Sequence, residues 1–518
     1  MQNKKTKVLL ELRPGLDGFA GIPQETRLLF AGLRKLENLE VEGLIQGQSR
    51  KLAKGTSLKR KKKLKGPIWD YSRYSKVIVS LTQKPHRNIF EICSEWVQSR
   101  LETMALQTLS STGLAKIRLT IFRSSSYEDF IWRTFFSKTL PASEFNDVTS
   151  ANFKICSVSW KAMHEAGINS LNWRFSPKYP KLDTEGVNIL IGQTPFPARI
   201  SRNTKYVIRY HDAIPVFMPH TINDKAHHQA SHIYALMSNV ESGAWFSCVS
   251  EATRQDLLKL FPEAADRSVT IHNMVSNHYF KEETPFERVS GIIRSRLYAA
   301  DVELKVDPAF NSISPNFLSL REQEGFYQKN LFKKEFKYLL VVSTVEPRKN
   351  HARALAAWEV LKADVDPDLK IIIVGTLGWG YQSMVKSLKT WIDRGDLFML
   401  NSVPAPDLRV LYRHASATIC PSLGEGFDFS GVEAMRSGGI AIASDIPVHR
   451  EIYEDAAEYF DPYSTMSAVK AIKKVLYSED AGQVQAKLHE RSEIISNRYL
   501  PEAILPQWEK FLKQINKY

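Results

Sequence analysis

Two carboxylates, Glu425 and Glu433, stand eight positions apart in "GEGFDFSGVEAMRSGG". Ser430 and Glu433 have the S-x-x-E spacing of a capping box, which predicts a helix that begins at Ser430. The first turn of that helix would offer the backbone N–H groups of Gly431 and Val432 to an anion. Glu433 either only caps the helix or binds two sugar hydroxyls. Glu425 lies in a flexible turn without a basic residue nearby in sequence, which favours a carboxylate that faces a ligand.

A second loop, "STVEPRKNHARA", places Arg348 and Lys349 just before a predicted helix. Pro347 stiffens the loop, and Asn350 is the expected N-cap. Two adjacent cations at the positive end of a helix repel each other. A phosphate or diphosphate would relieve that repulsion through a forked arginine contact. The alternative is a pair of exposed basic residues in an ordinary loop.

Two further loops carry candidate residues. "YHDAIP" ends a predicted strand with His211 and Asp212, which can hydrogen-bond or act as acid and base, unless the histidine is satisfied in the core. In "GLDGFAGIP", Gly18 and Gly21 either let the backbone approach an anionic ligand or form a tight turn. The histidines of "HHQASH" have a zinc-like spacing but lack the acid of a metalloprotease, so we predict no metal site.

These loops follow strand-like runs that alternate with helix-like runs, which is typical of parallel sheets covered by helices. A first series of strands is predicted at "KVLLEL" from Lys7, "KVIVSL" from Lys76, "VNILIG" from Val187, "YVIRYHD" from Tyr206, "WFSCVS" from Trp245 and "VTIHN" from Val269. A second series begins near Tyr338 with "YLLVVS" and continues with "KIIIVG", "LFML", "SATICPS", "GIAIAS" and "AEYFDP". The helix from His351 places Leu355, Trp358 and Leu361 on one side.

The chain has 518 residues, which predicts two or three domains. We predict two doubly wound α/β domains that face each other, with ligands at the carboxyl ends of their strands. The first, residues 1–335, includes an insertion at about 50–185 and a charged linker at about 281–335. The second spans residues 336–500, and residues 501–518 form a last helix.

Composition limits the class of protein. A hydrophobic content of 43% is that of a globular chain that buries a core. No apolar run reaches the roughly 18 residues that a membrane span needs, and the N-terminus is a poor signal peptide. Four scattered cysteines fit reduced thiols and give no metal signature. These features predict a cytoplasmic protein.

The net charge is +14, from 70 basic and 56 acidic residues, with a dense basic run between Lys51 and Gly66. The run has three interpretations. It is a solvated loop, a foothold on the anionic inner membrane surface through Lys59–Lys65, or a nucleic-acid contact. Of the two binding interpretations, the membrane is favoured and nucleic acid is the less expected partner.

The motifs together resemble a known family. "EPRKN", followed by "PSLGEGFDFSGVEAMRSGG" and "SDIPVHREIYEDAAEYFDP", is similar to the retaining glycosyltransferases of family 4, which have the GT-B fold. Their Glu-x7-Glu signature corresponds to Glu425 and Glu433. The resemblance is close over most of 338–463, is looser over the four N-terminal motifs, and points to bacterial mannosyltransferase-like members of polysaccharide and lipopolysaccharide synthesis.

The resemblance implies a donor site for a nucleotide sugar in the C-terminal domain. Glu433 would hold the ribose, Arg348 and Lys349 the diphosphate, and Glu425 the transferred sugar. The resemblance adds further donor-site residues: Gly18 and Gly21 closing over the diphosphate, Gly375 lining the nucleotide pocket, and the backbone of Phe429, Ser430, Gly431 and Val432 donating hydrogen bonds. His211, beside Asp212, would contact the sugar and the leaving phosphate. Residues 501–518 resemble the helix that crosses back to the first domain.

The chain departs from many family members at two places. Ser343 and Thr344 replace a Gly-Arg pair, so Arg348 is expected to stand in for a diphosphate-binding arginine. Asp428, Phe429 and Ser430 replace Gly-Leu-Pro, which puts an unexpected acid close to the diphosphate.

The expected reaction transfers a hexose from GDP-mannose or a UDP-hexose to a glycan or lipid-linked acceptor. Cations and helix N-termini would stabilise the leaving diphosphate. No base is placed as in two-carboxylate hydrolases, so same-face attack with retention is predicted, without a metal or other cofactor. The alternatives are a nucleotide-sugar 2-epimerase or phosphorylase on the same fold, or a non-catalytic nucleic-acid-binding protein.

Overall fold

The computed structural model describes residues 5–16, 18–19, 21–57, 67–82, 88–112, 116–172, 174–297, 313–332 and 334–517. The Lys59–Lys65 run lies outside these described residues. The chain divides into two compact units. The first comprises Met1–Pro219, Asp224–His272 and Leu505–Tyr518, and the second comprises His220–Asn223 and Asn273–Ile504.

The first unit contains ten strands and nine helices among the described residues. The strands are β1 Thr6–Glu11, β2 Leu39–Gln46, β3 Lys116–Arg118, β4 Thr120–Arg123, β5 Asn152–Cys156, β6 Lys181–Asp183, β7 Ile189–Gly192, β8 Lys205–Tyr210, β9 Trp245–Cys248 and β10 Ser268–Thr270. The helices are α1 Ile22–Arg34, α2 Pro67–Leu81, α3 Ile89–Ser111, α4 Glu128–Ile131, α5 Phe145–Thr149, α6 Trp160–Asn169, α7 Ile214–Phe217, α8 Lys225–Glu241 and α9 Glu251–Leu260.

Eight of these strands form one sheet in the order β10-β9-β8-β7-β1-β2-β5-β4, while β3 and β6 pair separately. The pairs within the large sheet are parallel, except that β4 runs antiparallel to β5 at the edge. The predicted insertion at about 50–185 therefore extends the sheet through β4 and β5. Its alternation of strands and helices is the predicted α/β pattern.

The second unit has six described strands and nine described helices. The strands are β11 Tyr338–Val342, β12 Lys370–Val374, β13 Leu397–Leu400, β14 Ala417–Cys420, β15 Ala441–Ser444 and β16 Ala457–Phe460. The helices are α10 Glu287–Arg296, α11 Leu320–Tyr327, α12 His351–Asp364, α13 Gln382–Arg394, α14 Ala405–His414, α15 Phe429–Arg436, α16 Pro447–Tyr453, α17 Thr465–Tyr477 and α18 Ala481–Ser496. The last helix, α19, spans Pro501–Lys517, and its residues from Leu505 onward group with the first unit.

The sheet of the second unit is parallel throughout, in the order β13-β12-β11-β14-β15-β16. The chain builds outward from β11 to β13, returns to β14 on the other side of β11, and then builds outward in the opposite direction. Neighbouring strands β11 and β14 thus mark a topological switch point, where crossovers diverge and leave a crevice at the carboxyl ends. The predicted face of α12 is confirmed, since Leu355, Trp358 and Leu361 are buried in this unit's core.

The prediction of a strand at "KVIVSL" is wrong, because this stretch lies in α2. Its β-branched residues favour a strand, but Tyr74 and Val77 have the i, i+3 spacing of a helix and are both buried. The Tyr74 ring packs edge-on against Phe122, with ring centroids 5.2 Å apart. Tertiary packing of one helical face outweighs the local preference here.

The division between the units falls at His272, earlier than the predicted boundary at residue 335. The reason is that much of the predicted linker packs within the second unit. Ser290 of α10 donates a hydrogen bond to the carbonyl of Leu331, and Arg296 forms an ion pair with Asp407 of α14. Among the described residues, no helix combines the length and apolarity that crossing a bilayer requires.

Candidate active site

The loops that follow β11 and β14 meet at the switch point of the second unit. Arg348 and Lys349 lie in a short 3-10 turn, Pro347–Lys349, after β11. The Leu423 N–H, in the loop after β14, donates to the carbonyl of Arg348 at 2.9 Å. This backbone hydrogen bond fixes one loop against the other and sets the positions of the charged side chains.

A partly buried ion cluster joins the two loops. The Glu425 carboxylate accepts from Arg348 Nη1 at 2.7 Å and from Lys349 Nζ at 2.5 Å, one cation on each oxygen. Arg348 Nη2 also donates to Glu346 at 2.8 Å. The Glu425 side chain is only 5% exposed. Charge-assisted bonds of this kind are about twice as strong as neutral ones.

The two carboxylates in this cluster respond differently to the same cations. Burial alone would raise the pKa of Glu425, but Arg348 and Lys349 outweigh it and the pKa is lowered. Burial dominates at Glu346, whose pKa is raised although the two cations oppose the shift. Of the two carboxylates, Glu425 is therefore the one whose ionised form the two cations stabilise against the effect of burial.

This cluster bears on two sequence-based expectations. Glu425 has no basic residue nearby in sequence, as expected, and its two basic partners lie more than 70 residues away along the chain. Arg348 and Lys349 were expected to need a phosphate to relieve their repulsion, whereas Glu425 already provides a negative charge between them. Asn350 does occupy the N-cap position of α12, but its side chain donates to the carbonyls of Pro421 and Pro462 instead of capping.

The predicted capping box at Ser430 and Glu433 is wrong. Helix α15 begins at Phe429 and its N-cap is Asp428. Asp428 Oδ1 accepts from the Ser430 N–H at 3.0 Å and from its hydroxyl at 2.7 Å. The acid that departs from the family pattern therefore turns inward to bind its own helix, as an N-cap aspartate commonly does.

Asp428 is also paired with a buried histidine. His449 Nε2 of α16 lies 3.3 Å from Asp428 Oδ2, and both side chains are buried. Burial would raise the pKa of Asp428, but the hydrogen bond and charge of His449 dominate and hold the pKa well below its ordinary value. The groups that lower the pKa of Asp428, which are His449, Lys349 and Ser430, all belong to the second unit.

Glu433 is held by tyrosines. Its Oε2 accepts a hydrogen bond from the Tyr412 hydroxyl at 3.1 Å, and the residue as a whole is 4% exposed. Tyr279 also hydrogen-bonds to Glu433. Burial, and then the Glu433 charge, raises the pKa of both tyrosines well above the usual range. Glu433 therefore accepts hydrogen bonds from tyrosine hydroxyls and does not cap the helix.

The glycines and apolar residues that the sequence places at the donor site have packing roles in the structure. A Cβ on Gly431 would lie 2.3 Å from the Tyr453 hydroxyl oxygen, and one on Gly375 would lie 2.0 Å from the Ser343 carbonyl oxygen. Phe429 and Val432 point into the core and are buried. These contacts place the backbone of α15 and the end of β12 close to their neighbours, and the contact of these residues with a donor stays a prediction.

His211 and Asp212 lie in the first unit, after β8. Burial lowers the pKa of His211 to about 3, so the ring is neutral near pH 7. Its Nε2 is buried, and no hydrogen-bond partner for it exists among the described residues. Asp212 accepts from the Ile214 N–H at 3.0 Å. The alternative of a histidine that is satisfied in the core therefore does not hold for Nε2.

Gly18 and Gly21 both adopt φ of 68°, the left-handed region that favours glycine. The loop is anchored by Arg27 of α1, which is fully buried and donates to the carbonyls of Gly15 and Gly18, each at 2.9 Å. Arg27 thus holds the described glycines Gly15 and Gly18 through their carbonyls, and the predicted contact of Gly18 and Gly21 with a diphosphate stays a prediction.

Sequence reasoning missed four residues around the site: Glu346, Tyr279, Tyr412 and His449. His449 could have been suspected, because an acid at a buried helix start needs a partner and "SDIPVHRE" supplies a histidine nearby in the motif. The tyrosines carried no local signal, because only the packing of α14 and the 273–280 segment brings them to Glu433.

Comparisons with known proteins show what the chain is similar to. Residues 322–494 match the family described as glycosyl transferases group 1. The chain is 35% identical over 160 residues to "Serotype-specific mannosyltransferase WbdA" of Escherichia coli, which covers 30% of this chain and 19% of that protein. It is 26% identical over 285 residues to "O-antigen chain mannosyltransferase B" of Escherichia coli, covering 55% and 62%.

The fold has a solved neighbour in a sucrose-phosphate synthase from Thermosynechococcus elongatus. The TM-score is 0.53 at 13% identity, over 99% of both chains. This likeness confirms the predicted GT-B class, with two doubly wound parallel-sheet units. The chain spans about a fifth of the length of the WbdA protein that it matches.

We expect Asp428→Asn to isolate the charge of Asp428. Asparagine keeps a capping acceptor, so the loss of about 1–3 kcal/mol in unfolding free energy comes from the lost carboxylate. Because the folded pKa lies below the ordinary value of 3.8, this contribution is full above that pH and is lost as pH falls further. Urea unfolding at several pH values between 3 and 7 measures it.

The matched control is Asp445→Asn, since Asp445 pairs with Arg450 but both side chains are half exposed. Its loss should stay below about 1 kcal/mol. Equal losses in the two variants, or a deficit of the Asp428 variant that grows below pH 4, would contradict the buried pairing.

Proposed function

We propose that the chain transfers a hexose from a nucleotide sugar, GDP-mannose or a UDP-hexose, to a glycan or lipid-linked acceptor. The transfer would retain configuration and serve the biosynthesis of cell-surface polysaccharide or lipopolysaccharide. The observation that carries the proposal is the buried Arg348–Glu425–Lys349 cluster at the switch point of a group 1 glycosyltransferase domain. Mannose is favoured because the two curated relatives are named mannosyltransferases.

The cluster suggests how the diphosphate would be bound. Glu425 holds Arg348 and Lys349 in place before any ligand arrives, and this ordering removes part of the cost of binding. An incoming diphosphate carries more negative charge than one carboxylate and would take over contacts with both cations. Glu425 would then turn to the hydroxyls of the transferred sugar. One exchange of partners would couple donor binding to the placement of the catalytic carboxylate.

Glu433 suits the ribose. A carboxylate has about four lone-pair sites, so Glu433 can keep its hydrogen bond from Tyr412 and accept two ribose hydroxyls as well. The tyrosine hydroxyls would fix the orientation of the carboxylate toward the ribose. A carboxylate that capped the helix would instead be turned toward backbone N–H groups. The neighbouring Asp428 faces its own helix and His449, through two hydrogen bonds from Ser430 and a distance of 3.3 Å between Oδ2 and His449 Nε2.

The reaction would proceed by departure of the diphosphate, stabilised by Arg348 and Lys349. The acceptor would attack the same face, and the leaving phosphate oxygen would take its proton. His211, which is neutral, would donate or accept a hydrogen bond at the sugar or the leaving group, and this role rests on the resemblance. Independence from a divalent metal, a cytoplasmic location and association with the inner membrane surface through Lys59–Lys65 belong to the same proposal.

The function is tested with a panel of nucleotide sugars, a lipid-linked or glycan acceptor, and EDTA-washed protein. We expect release of a nucleoside diphosphate that depends on the acceptor, an α-linked product from an α-linked donor, and no loss of rate with EDTA. An epimerised sugar nucleotide would contradict transfer. An inverted product would contradict retention, and a strict need for a divalent ion would contradict metal independence.

We expect Glu433→Gln to weaken donor binding about tenfold to a hundredfold, because hydrogen bonds to a charged group contribute about 1.5–3 kcal/mol. Calorimetric titration with the donor measures the dissociation constant. Circular dichroism and the melting temperature serve as the folding control. A melting temperature that falls while donor affinity stays unchanged would reduce Glu433 to a purely structural residue.

We expect Lys349→Ala to raise the donor KM about tenfold or more, because one charge-assisted contact to the diphosphate is lost. The matched control is Lys362→Ala in the last turn of α12, where Lys362 pairs with Asp396. Initial rates at varied donor concentration measure the effect. An unchanged KM in the Lys349 variant would remove this lysine from the donor site.

A further inference from the structure

A basic pocket lies in the first unit, between residues 51–54 and helix α2. Its volume is about 490 Å³, and its walls carry four cations, Lys51, Lys54, Arg73 and Lys76, beside the ring of Trp69. No acidic residue lines it within the described part of the chain. Four positive side chains around one concavity, without a lining carboxylate, form a site for an anionic group.

The pocket is held in shape by hydrogen bonds from both of its walls. Leu52 is buried, and its N–H donates to the Ser157 carbonyl at 3.0 Å. The Ala53 N–H donates to Ser80 Oγ of α2 at 2.9 Å, which ties the segment to the helix. Arg73 spans the walls with a hydrogen bond of 3.0 Å to the Gly55 carbonyl. The cations therefore project from a fixed frame.

Large apolar side chains stand on the same helix as the basic wall. Tyr74 and Val77 turn inward and are buried. Outward, Ile68 is 75% exposed, Trp69 is 49% exposed and Val79 is 51% exposed. A helix that shows basic and large apolar residues to solvent together resembles an interfacial helix, whose aromatic and aliphatic residues enter the headgroup region while its cations meet anionic lipids.

We propose that this surface docks on an anionic lipid bilayer, with a headgroup phosphate in the basic pocket and Ile68 and Trp69 in the interfacial region. The charge pattern decides the occupant. A second copy of the chain would bring the same cations to a symmetric contact and repel. A nucleic acid would satisfy the cations but would leave Ile68 and Val79 in water. The inference uses only described residues and does not depend on the proposed function.

Flotation of the full chain with vesicles tests the proposal, with one set rich in phosphatidylglycerol and one of phosphatidylcholine alone. Wild-type protein should float only with the anionic set. Lys54→Glu/Lys76→Glu should weaken binding at least tenfold, because each basic residue near such a surface contributes about a fivefold change in affinity. Trp69→Ala should weaken binding several-fold at constant charge. Lys470→Glu/Lys473→Glu on α17, with the same change in net charge, should bind as wild type.

Other outcomes would overturn the proposal. Equal loss in the α17 control would mean that only net charge matters. Loss by Phe90→Ser on α3, an 84% exposed residue, with no effect at Trp69, would move the contact to another helix. Loss only when Lys59–Lys65 are replaced would assign binding to that run. Binding of inorganic phosphate or RNA, lost in Lys54→Glu/Lys76→Glu without any flotation, would make the pocket a site for a free anion or nucleic acid. A Trp69-dependent dimer without flotation would make the surface a contact between copies.

Discussion

The structure of the candidate site depends on one interaction, the burial of Glu425 between Arg348 and Lys349. Two loops that leave adjacent parallel strands must meet for this cluster to form, and the hydrogen bond between Leu423 and Arg348 holds them together. A buried charge without a partner is costly, whereas a paired one fixes geometry. The three side chains therefore impose on each other the positions from which they would act on a diphosphate and a sugar.

At the start of α15, another buried carboxylate, that of Asp428, is held by groups of its own unit. Asp428 would be an unfavourable neighbour for a diphosphate if its charge faced the ligand. Instead it caps the helix through Ser430 and lies 3.3 Å from His449 Nε2, so both of its oxygens contact groups of the same unit. Where the resembling family has Gly-Leu-Pro, this chain has Asp428, Phe429 and Ser430, and Asp428 binds Ser430 to cap α15. Tyr412 and Tyr279 then orient the Glu433 carboxylate.

In the first unit, buried arginines hold the loops at the ends of the strands. Arg27 binds the carbonyls of Gly15 and Gly18 after β1. Arg209, two residues before His211, forms an ion pair of 3.0 Å with Glu25, and both side chains are inaccessible to solvent. These pairs resist displacement, because removal of one partner would strand a buried charge. The neutral ring of His211, whose Nε2 has no hydrogen-bond partner among the described residues, follows directly after β8.

The sequence by itself determined the parallel α/β plan and all six described strands of the second unit. It also identified Glu425, Glu433, Arg348 and Lys349 as candidates. Hydrophobic periodicity and glycine spacing depend on residues close together in the chain, so they can be recognised from the sequence. Only the tertiary structure decided which charges meet. Glu425 pairs with cations that are more than 70 residues away in sequence. Asp428, and not Ser430, caps α15. "KVIVSL" forms part of a helix because Tyr74 and Val77 are buried against the rest of the unit. The local signals for capping and for a strand were sound, but burial and pairing at long range carry more free energy and prevailed.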